Sequence, residues 1–293
     1  DGSGEALAQF QQLTDPQRVR IDLRRAPLLA AYVASCPGSD ECLLALLNHH
    51  IVSDHLTVEF IHNEIQLLLH KQEDRLPLAL PYRNFIAQVH SISVSEHEAF
   101  FRRQLADIDA PTAPFGLIDV QSNGNAVSEA RLIIADELAL RIRALARQHG
   151  VTSGSLFHTA WAQVLARCTG RSDVVFGTVL SGRLQGTAGA SQVLGMFINT
   201  LPIRISLAGK SVDQAVRETL HGLSELLGHE QASLALAQRC SGVPPSMPLF
   251  STLLNFRHSK TEDANTAAWT GIHGITSEER TNYPITVSVD DLG

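Results

Sequence analysis

Segments typical of strands and segments typical of helices alternate along most of this chain, and one stretch with neither pattern divides them. Residues 107–125 are rich in Pro, Gly and Asp and show no apolar periodicity. Strands that alternate with helices are typical of α/β proteins, and an irregular stretch between two such regions is typical of a linker. The sequence therefore predicts an α/β protein of two lobes, residues 1–106 and 129–293, joined by a linker at 107–128.

The predicted elements follow from apolar spacing, because alternating or β-branched runs indicate strands and a spacing of three or four residues indicates helices. In the first lobe we expect a leading loop, strands at 19–23, 28–34 and 42–47, a helix from Leu56 and a helix at 96–105. In the second lobe we expect strands at 130–134, 173–180, 196–205, 250–256 and 285–289. The helices predicted there are 136–149, ended by Gly150, then 154–167, and 211–227, opened by a capping box of Ser211 and Gln214.

Composition narrows the class of protein. Hydrophobic residues make up 44 % of the chain, enough for a buried core, and the net charge of −7 argues against a nucleic-acid partner. The densest apolar run, at 42–47, is far shorter than the roughly 20 residues of a membrane span.

No cysteines form a CxxC pair, so we expect four small buried thiols in a cytoplasmic protein, at Cys36, Cys42, Cys168 and Cys240. The chain opens on Asp1 rather than Met, which indicates a piece of a longer protein.

The strongest chemical signal is the sequence H-H-I-V-S-D-H at His49–His55, directly after a predicted strand. An imidazole titrates near neutral pH, so one of these rings could take a proton from an attacking amine or alcohol. Asp54 could fix the loop or the tautomer of a ring. Two other interpretations stay open: a polar turn with merely solvated histidines, and a metal site that also includes His62. No cysteine or serine lies in a recognisable nucleophile motif, which favours acyl transfer without a covalent enzyme intermediate.

A second signal is D-V-V-F-G-T-V-L-S-G-R at Asp173–Arg183, where a buried-looking strand ends and presents an arginine. Taken alone, Arg183 is most simply a solvated side chain at a strand end. Paired with a buried Asp54 it would form a charge-assisted structural lock. Loss of one partner from such a buried pair costs about 3–5 kcal/mol.

Several motifs together resemble the condensation domains of nonribosomal peptide synthetases. The sequence at His49–His55 matches the family's HHxxxDG, and it is accompanied by Asp173–Arg183 and by G-M-F-I-N-T-L-P-I-R at Gly195–Arg204. Weaker matches are I-D-L-R-R-A-P-L-L at Ile21–Leu29, H-E-Q at His229–Gln231 and P-L-F-S-T-L-L-N-F at Pro248–Phe256. Because their order and spacing run through almost the whole chain, the combination is specific.

The resemblance implies a pseudo-dimer of two chloramphenicol-acetyltransferase-like lobes with a V-shaped cleft, here incomplete. It also implies upstream and downstream carrier-protein domains that deliver substrates on 4'-phosphopantetheine arms, and a neighbouring adenylation domain of the same synthetase. No cofactor, metal, nucleic acid or membrane is expected to bind this chain itself. By the same resemblance His50 is the catalytic residue, His49 supports it, and Asp54 pairs with Arg183. Candidates to line the tunnel are Ser181 and Asn199.

The sequence departs from the family pattern in three places. His55 replaces the motif glycine, at a position where that glycine permits close backbone approach to the reacting groups. The H-E-Q sequence lacks the Pro-Phe that usually follows it. We also expect the family's first and last strands to be missing, so that the chain is truncated at both ends.

These observations leave three functions to separate. The leading one is amide-bond formation between two carrier-bound substrates. A starter-type domain, in which a fatty acyl group replaces the peptidyl donor, is a close alternative. A catalytically silent platform that recruits another enzyme to a carrier protein is kept open by His55, whereas the intact His49, His50 and Asp54 favour an enzyme.

Overall fold

The protein folds into two compact units. The structure, a computed structural model, describes residues 2–16, 18–36, 38–90, 93–120, 128–183, 192–258, 272–275 and 282–293. Unit 1 comprises Asp1–Phe85 with Thr187–Phe197, and unit 2 comprises Ile86–Gly186 with Ile198–Gly293. The units do not coincide with the predicted lobes, whose boundaries stay a prediction. Residues 121–127 of the predicted linker lie outside the described residues.

Unit 1 contains a two-stranded antiparallel sheet and helical segments. Strand β1 (Leu29–Ser35) pairs with β2 (Cys42–Asn48), so that Leu29 lies opposite Asn48. The helices are α1 (Gly2–Thr14), α2 (His55–Leu69) and α3 (Tyr82–Val89), whose last residues pass into unit 2. The connection from β2 to α2 is short, and it carries the predicted catalytic motif.

Among its described residues, unit 2 contains a four-stranded mixed sheet and five α-helices that begin within it. The strands are β3 (Asp173–Leu180), β4 (Asn199–Ser206), β5 (Thr252–His258) and β6 (Ile285–Asp291), in the spatial order β4-β3-β5-β6. Strands β3 and β4 are antiparallel, whereas β5 runs parallel to both β3 and β6. The helices are α4 (Val94–Leu105), α5 (Asp136–His149), α6 (Ser153–Thr169), α7 (Val212–Leu227) and α8 (Leu234–Arg239).

The core of unit 2 forms around β3. Val174, Val175 and Phe176 are each at most 1 % exposed, as expected for a β-branched and aromatic strand covered by helices. Helix α6 contacts β3 and β5, and α7 contacts β4. Capping boxes open both helices, since Thr152 pairs with Ser155 at α6 and Ser211 with Gln214 at α7.

Most predicted elements are confirmed, with three exceptions. Strands β1 to β6 and helices α2 and α4 to α7 lie within a few residues of their predicted bounds, and Gly150 ends α5 in the left-handed conformation at φ 64°. The prediction of a leading loop is wrong, because residues 2–14 form α1. The strands predicted at 19–23 and 130–134 are also wrong. Residues 19–23 alternate and residues 130–134 are mostly apolar, but neither segment forms a ladder with another strand among the described residues.

The cysteine prediction is half correct. All four thiols are free, and Cys36 and Cys240 are buried, but Cys42 and Cys168 are exposed. Cys42 opens a strand of the small sheet, and Cys168 lies in the last turn of α6, so neither enters a core. Within the described part of the chain, no helix has the length and apolar character needed to cross a membrane.

Candidate active site

The turn between β2 and α2, residues 49–54, is fixed by hydrogen bonds on both sides. The backbone N–H of His49 donates to the carbonyl of Leu28 at 3.0 Å, which continues the β1–β2 ladder by one residue. The Ser53 hydroxyl donates to the Asn48 side-chain oxygen at 2.6 Å. The chain therefore leaves the sheet and enters α2 by a defined path, which we call the 49–54 turn.

The two histidines of the motif differ in their surroundings. His49 is half-buried, and its Nδ1 accepts the backbone N–H of Ile51 at 3.1 Å. This bond assigns the proton of the neutral ring to Nε2. His50 is the exposed first residue of the bend that follows. Of the two histidines, His50 is thus the more exposed to solvent.

Asp54 holds the far end of the turn. The residue is 2 % exposed and is the N-cap of α2, where its Oδ1 accepts the backbone N–H of Thr57 at 2.9 Å. Its Oδ2 accepts the backbone N–H of Phe197 at 3.2 Å. One carboxylate therefore starts α2 and also binds a chain segment far away in sequence, consistent with a structural role. The pairing of Asp54 with Arg183 stays a prediction.

Thr57 strengthens the attachment of the Gly195–Phe197 segment, hereafter the 195–197 segment. Its hydroxyl accepts the backbone N–H of Gly195 at 3.0 Å. The same oxygen lies 2.8 Å from the Gly195 carbonyl and 2.8 Å from Asp54 Oδ1, either of which can take its single proton. The sequence analysis missed Thr57, although the Asp-x-x-Thr spacing is typical of a helix start.

Two aromatic residues of α3 hold the 195–197 segment from another side. The Tyr82 hydroxyl donates to the carbonyl of Met196. The rings of Tyr82 and Phe85 pack on Phe197, with centroids 5.2 Å and 4.3 Å away. The sequence analysis missed this helix and both side chains. Two aromatics three residues apart, in a chain with only 5 % aromatic residues, were the available signal.

His55, which stands at the motif glycine, is the first residue of α2. Its backbone is helical and is not among the positive-φ positions, so the conformation does not require a glycine. Its Nε2 lies 2.9 Å from Oε1 of Glu59, one turn further along the helix. The side chain is therefore accommodated at the helix surface.

The other predicted site residues belong to unit 2, whereas His49–His55 belongs to unit 1. Ser181 is exposed and Arg183 is half-buried, and both follow the end of β3. Asn199 opens β4, and its side-chain amide donates to the carbonyls of Glu230 and Ala232 at 2.8 Å and 2.6 Å. The role of Ser181 and Asn199 as tunnel lining stays a prediction.

A metal centre finds no support in the described residues, among which no three His, Cys, Asp or Glu side chains are grouped closely enough to hold an ion. His62, the fifth member of the candidate metal set, is half-buried on α2, and burial lowers the pKa of its imidazole, opposed by the nearby Glu59.

Comparison with known proteins gives consistent matches along the chain. The profile of a family described as "Condensation domain" matches residues 3–293. Malpibaldin synthetase and malpinin synthetase, both of Mortierella alpina, are 45 % and 44 % identical to this chain over 291 residues, which is 99 % of its length. The chain spans only 5 % and 4 % of those two synthetases.

A solved structure gives a match in three dimensions. The condensation domain of the monacolin K polyketide synthase MokA superposes with a TM-score of 0.68 at 19 % identity. The match covers 100 % of this chain and 69 % of that domain, and it shows a shared fold.

Proposed function

The chain belongs to the condensation-domain family, and from this premise we propose that it joins two carrier-bound substrates through an amide bond. The donor is an acyl or peptidyl thioester on an upstream carrier protein. The acceptor is the amine of an aminoacyl thioester on a downstream carrier protein. Both substrates arrive on phosphopantetheine arms, so this chain needs no cofactor of its own. An adenylation domain of the same synthetase would load the downstream carrier.

The observation that carries this proposal is an exposed imidazole on a fixed backbone. His50 is exposed, while its neighbour His49 is bonded to Leu28 and Ile51, and Asp54 four residues later is bonded to Thr57 and Phe197. A catalytic group gains most when its position is set before the substrate arrives. The rigidity of the 49–54 turn supports a role for His50 at the reacting centre.

The proposed reaction transfers the acyl group in one addition and one elimination. The neutral amine nitrogen attacks the thioester carbonyl carbon, so that a C–N bond forms and the C–S bond then breaks. The proton that the nitrogen loses ends on the leaving sulfur, which becomes the thiol of the upstream arm. We assign His50 to the amine, whose proton it accepts or whose nitrogen it orients by a hydrogen bond.

A silent docking platform is the second candidate, and the observation behind it is His55. The helical backbone of His55 and its contact with Glu59 show that this position does not need a glycine conformation. The bulk of the side chain still bears on how closely a substrate can approach the turn. The intact His49, His50 and Asp54 favour the enzyme, and His55→Gly tests the effect of the side chain.

The test compares wild type, two variants of the motif and one control variant in their native synthetase module. A donor-loaded upstream carrier and an aminoacyl-loaded downstream carrier are mixed with wild type, His50→Ala or His55→Gly, and the product on the downstream carrier is measured by intact-protein mass spectrometry. We expect transfer by wild type and a fall of about a hundredfold or more in His50→Ala. His70→Ala removes an exposed imidazole at the far end of α2 and serves as the matched control.

Each outcome separates the candidates. Transfer that persists unchanged in His50→Ala would contradict the proposed role of His50. Transfer only by His55→Gly would mean that the motif glycine is needed. Carrier binding without transfer in any variant would favour the platform. Loading the upstream carrier with a fatty acyl or a peptidyl group identifies the starter type.

A further inference from the structure

The segment 229–232 connects three other parts of unit 2. It contains the H-E-Q sequence, which the proposed chemistry does not use. The Gln231 side-chain amide donates to the carbonyl of Gly182 at 2.9 Å, directly before Arg183. The Asn199 side chain donates to the carbonyls on both sides of Gln231, those of Glu230 and Ala232. The segment therefore ties the end of β3 to the start of β4.

An imidazole pair attaches the same segment to α4. Nδ1 of His229 lies 2.8 Å from Nδ1 of His97, which is 5 % exposed. The Phe100 ring stacks on His229, with centroids 4.1 Å apart and planes inclined by 20°. A hydrogen bond between two such nitrogens needs a proton on one and a lone pair on the other. The contact therefore exists only while at least one of the two rings is neutral.

The surroundings oppose a second proton on this pair. Burial lowers the pKa of His97, opposed by the charge of Glu96. Burial also lowers the pKa of His229, as do His97 and Arg103, while Glu225 and Glu96 oppose the shift. The charged groups that act on the pair are thus Glu96 and Arg103 of α4 and Glu225 of α7. The Arg103 guanidinium lies 3.3 Å from the Glu225 carboxylate. This ion pair reduces the electrostatic attraction between Glu225 and the protonated rings.

We propose that the 229–232 segment positions the end of β3, with Gln231 as the positioning residue for Gly182 and Arg183. In acid, loss of the contact between His97 and His229 would end this positioning. Double protonation would place two cations at a distance where they repel, so the contact between α4 and the 229–232 segment would break. The strand end would then lose the bond from Gln231. The consequence for acyl transfer rests on the proposed function, whereas the positioning itself does not.

The experiment measures backbone hydrogen exchange in the full protein at about pH 7.5 and pH 5.5, corrected for the intrinsic exchange rate at each pH. In wild type we expect the corrected exchange of peptides covering 178–183 and 228–233 to rise about fivefold or more in acid. His97→Gln keeps a donor to His229 but does not titrate, so its rise should stay below about twofold. His221→Gln, which removes an exposed histidine of α7, should behave as wild type.

A second variant tests the positioning residue. Gln231→Leu keeps the size of the side chain but removes the donor to Gly182. Residues 178–183 should then exchange faster already at pH 7.5, while 228–233 changes little. Wild-type exchange at 178–183 in Gln231→Leu, or an undiminished acid response in His97→Gln, would overturn the proposal.

A measurement on wild type keeps the test independent of folding in the variants. In ¹⁵N-histidine spectra, His97 and His229 should take up one proton together and a second only at lower pH, as coupled groups do. Two independent titrations at the ordinary histidine pKa would contradict the pairing. Transfer assayed at the same pH values separates the two proposals. If wild type shows no transfer at any pH, the proposed function fails while the exchange data still decide the positioning.

Discussion

In unit 1 the 49–54 turn is fixed by polar bonds around one carboxylate, whereas in unit 2 the strand that ends before Arg183 runs through an apolar core. Among the described residues, unit 1 contributes only four of the buried apolar side chains: Cys36, Phe85, Val193 and Phe197. Strand β2, which leads to the motif, has no fully buried residue, whereas β3 has six. The two units therefore bring their motif residues into position by different physical means.

This difference indicates how each unit should respond to substitution. A core of packed side chains loses stability in proportion to the volume removed, because neighbours relax only partly. A turn fixed by a few directional bonds loses its geometry when one bond is lost, with a smaller change in the free energy of unfolding. Truncation of a core side chain in unit 2 should therefore cost more free energy of unfolding than loss of one bond in unit 1, where the loss should also displace the motif residues.

The largest expected effect is in the core of unit 2. Phe176→Ala removes a ring that is 0 % exposed at the centre of β3, and should lower the free energy of unfolding by about 3–5 kcal/mol. Leu44→Ala at the 46 % exposed position of β2 is the matched substitution in unit 1, and should cost less than about 1 kcal/mol. Urea unfolding of both variants measures the difference. Equal losses would contradict the proposed contrast between the units.

A buried histidine of unit 2 predicts that the protein loses stability in acid. His158 is held between the Gly154 carbonyl at 2.6 Å and the Thr178 hydroxyl at 2.8 Å, and burial lowers its pKa to about 4, opposed by the bond to Gly154. The unfolded chain takes up a proton near the ordinary pKa of about 6.5, whereas the folded protein resists it. Stability is therefore fully present above pH 6.5 and falls as the pH drops toward 4.

The total loss from this one group should be about 3 kcal/mol by pH 4, since each pKa unit is worth about 1.4 kcal/mol. Unfolding free energies between about pH 7.5 and pH 4 measure the slope for wild type and for His158→Gln, which does not titrate. The variant should show a shallower slope, whatever its absolute stability. Identical slopes would rule out His158 as a source of the acid response.

Substitution of glycine by alanine should change the free energy of unfolding in opposite directions at one glycine of unit 1 and one glycine of unit 2. A Cβ at Gly195, where φ is +155°, would lie 2.2 Å from the Tyr82 ring, so Gly195→Ala should destabilise by about 1–3 kcal/mol and displace the 195–197 segment. Gly222 lies within helix α7 with open space around its Cβ position. Gly222→Ala should therefore stabilise by about 0.5–1 kcal/mol and leave transfer unchanged. A stable, fully active Gly195→Ala protein would show that the segment does not need its close approach to Tyr82.

The sequence predicted well what depends on neighbours along the chain. The condensation-domain α/β fold is confirmed by the structural match, and the capping box of α7 and the β-branched strand β3 appear where predicted. What it missed depends on distant partners. Thr57 bonds Gly195 across 138 positions of sequence, and Tyr82 bonds Met196 across 114. Residues 130–134 have the apolar and β-branched content of a strand, but a strand also needs a partner, which a local sequence pattern alone cannot reveal.

The last prediction concerns Asp54, the residue on which the contrast between the units depends most. Asp54→Ala removes the N-cap of α2 and leaves the N–H groups of Thr57 and Phe197 without their carboxylate. Loss of the cap alone should cost about 1–2 kcal/mol, and acyl transfer should fall because both α2 and the 195–197 segment lose their common anchor. Ser211→Ala, which removes an equivalent cap from α7 in unit 2, should cost a similar free energy and leave transfer intact. We therefore expect damage to folding in Asp54→Ala at least as great as the damage to chemistry. A well-folded Asp54→Ala protein of wild-type stability that has lost only turnover would contradict this, because it would move the carboxylate from the support of the 49–54 turn into the reaction itself.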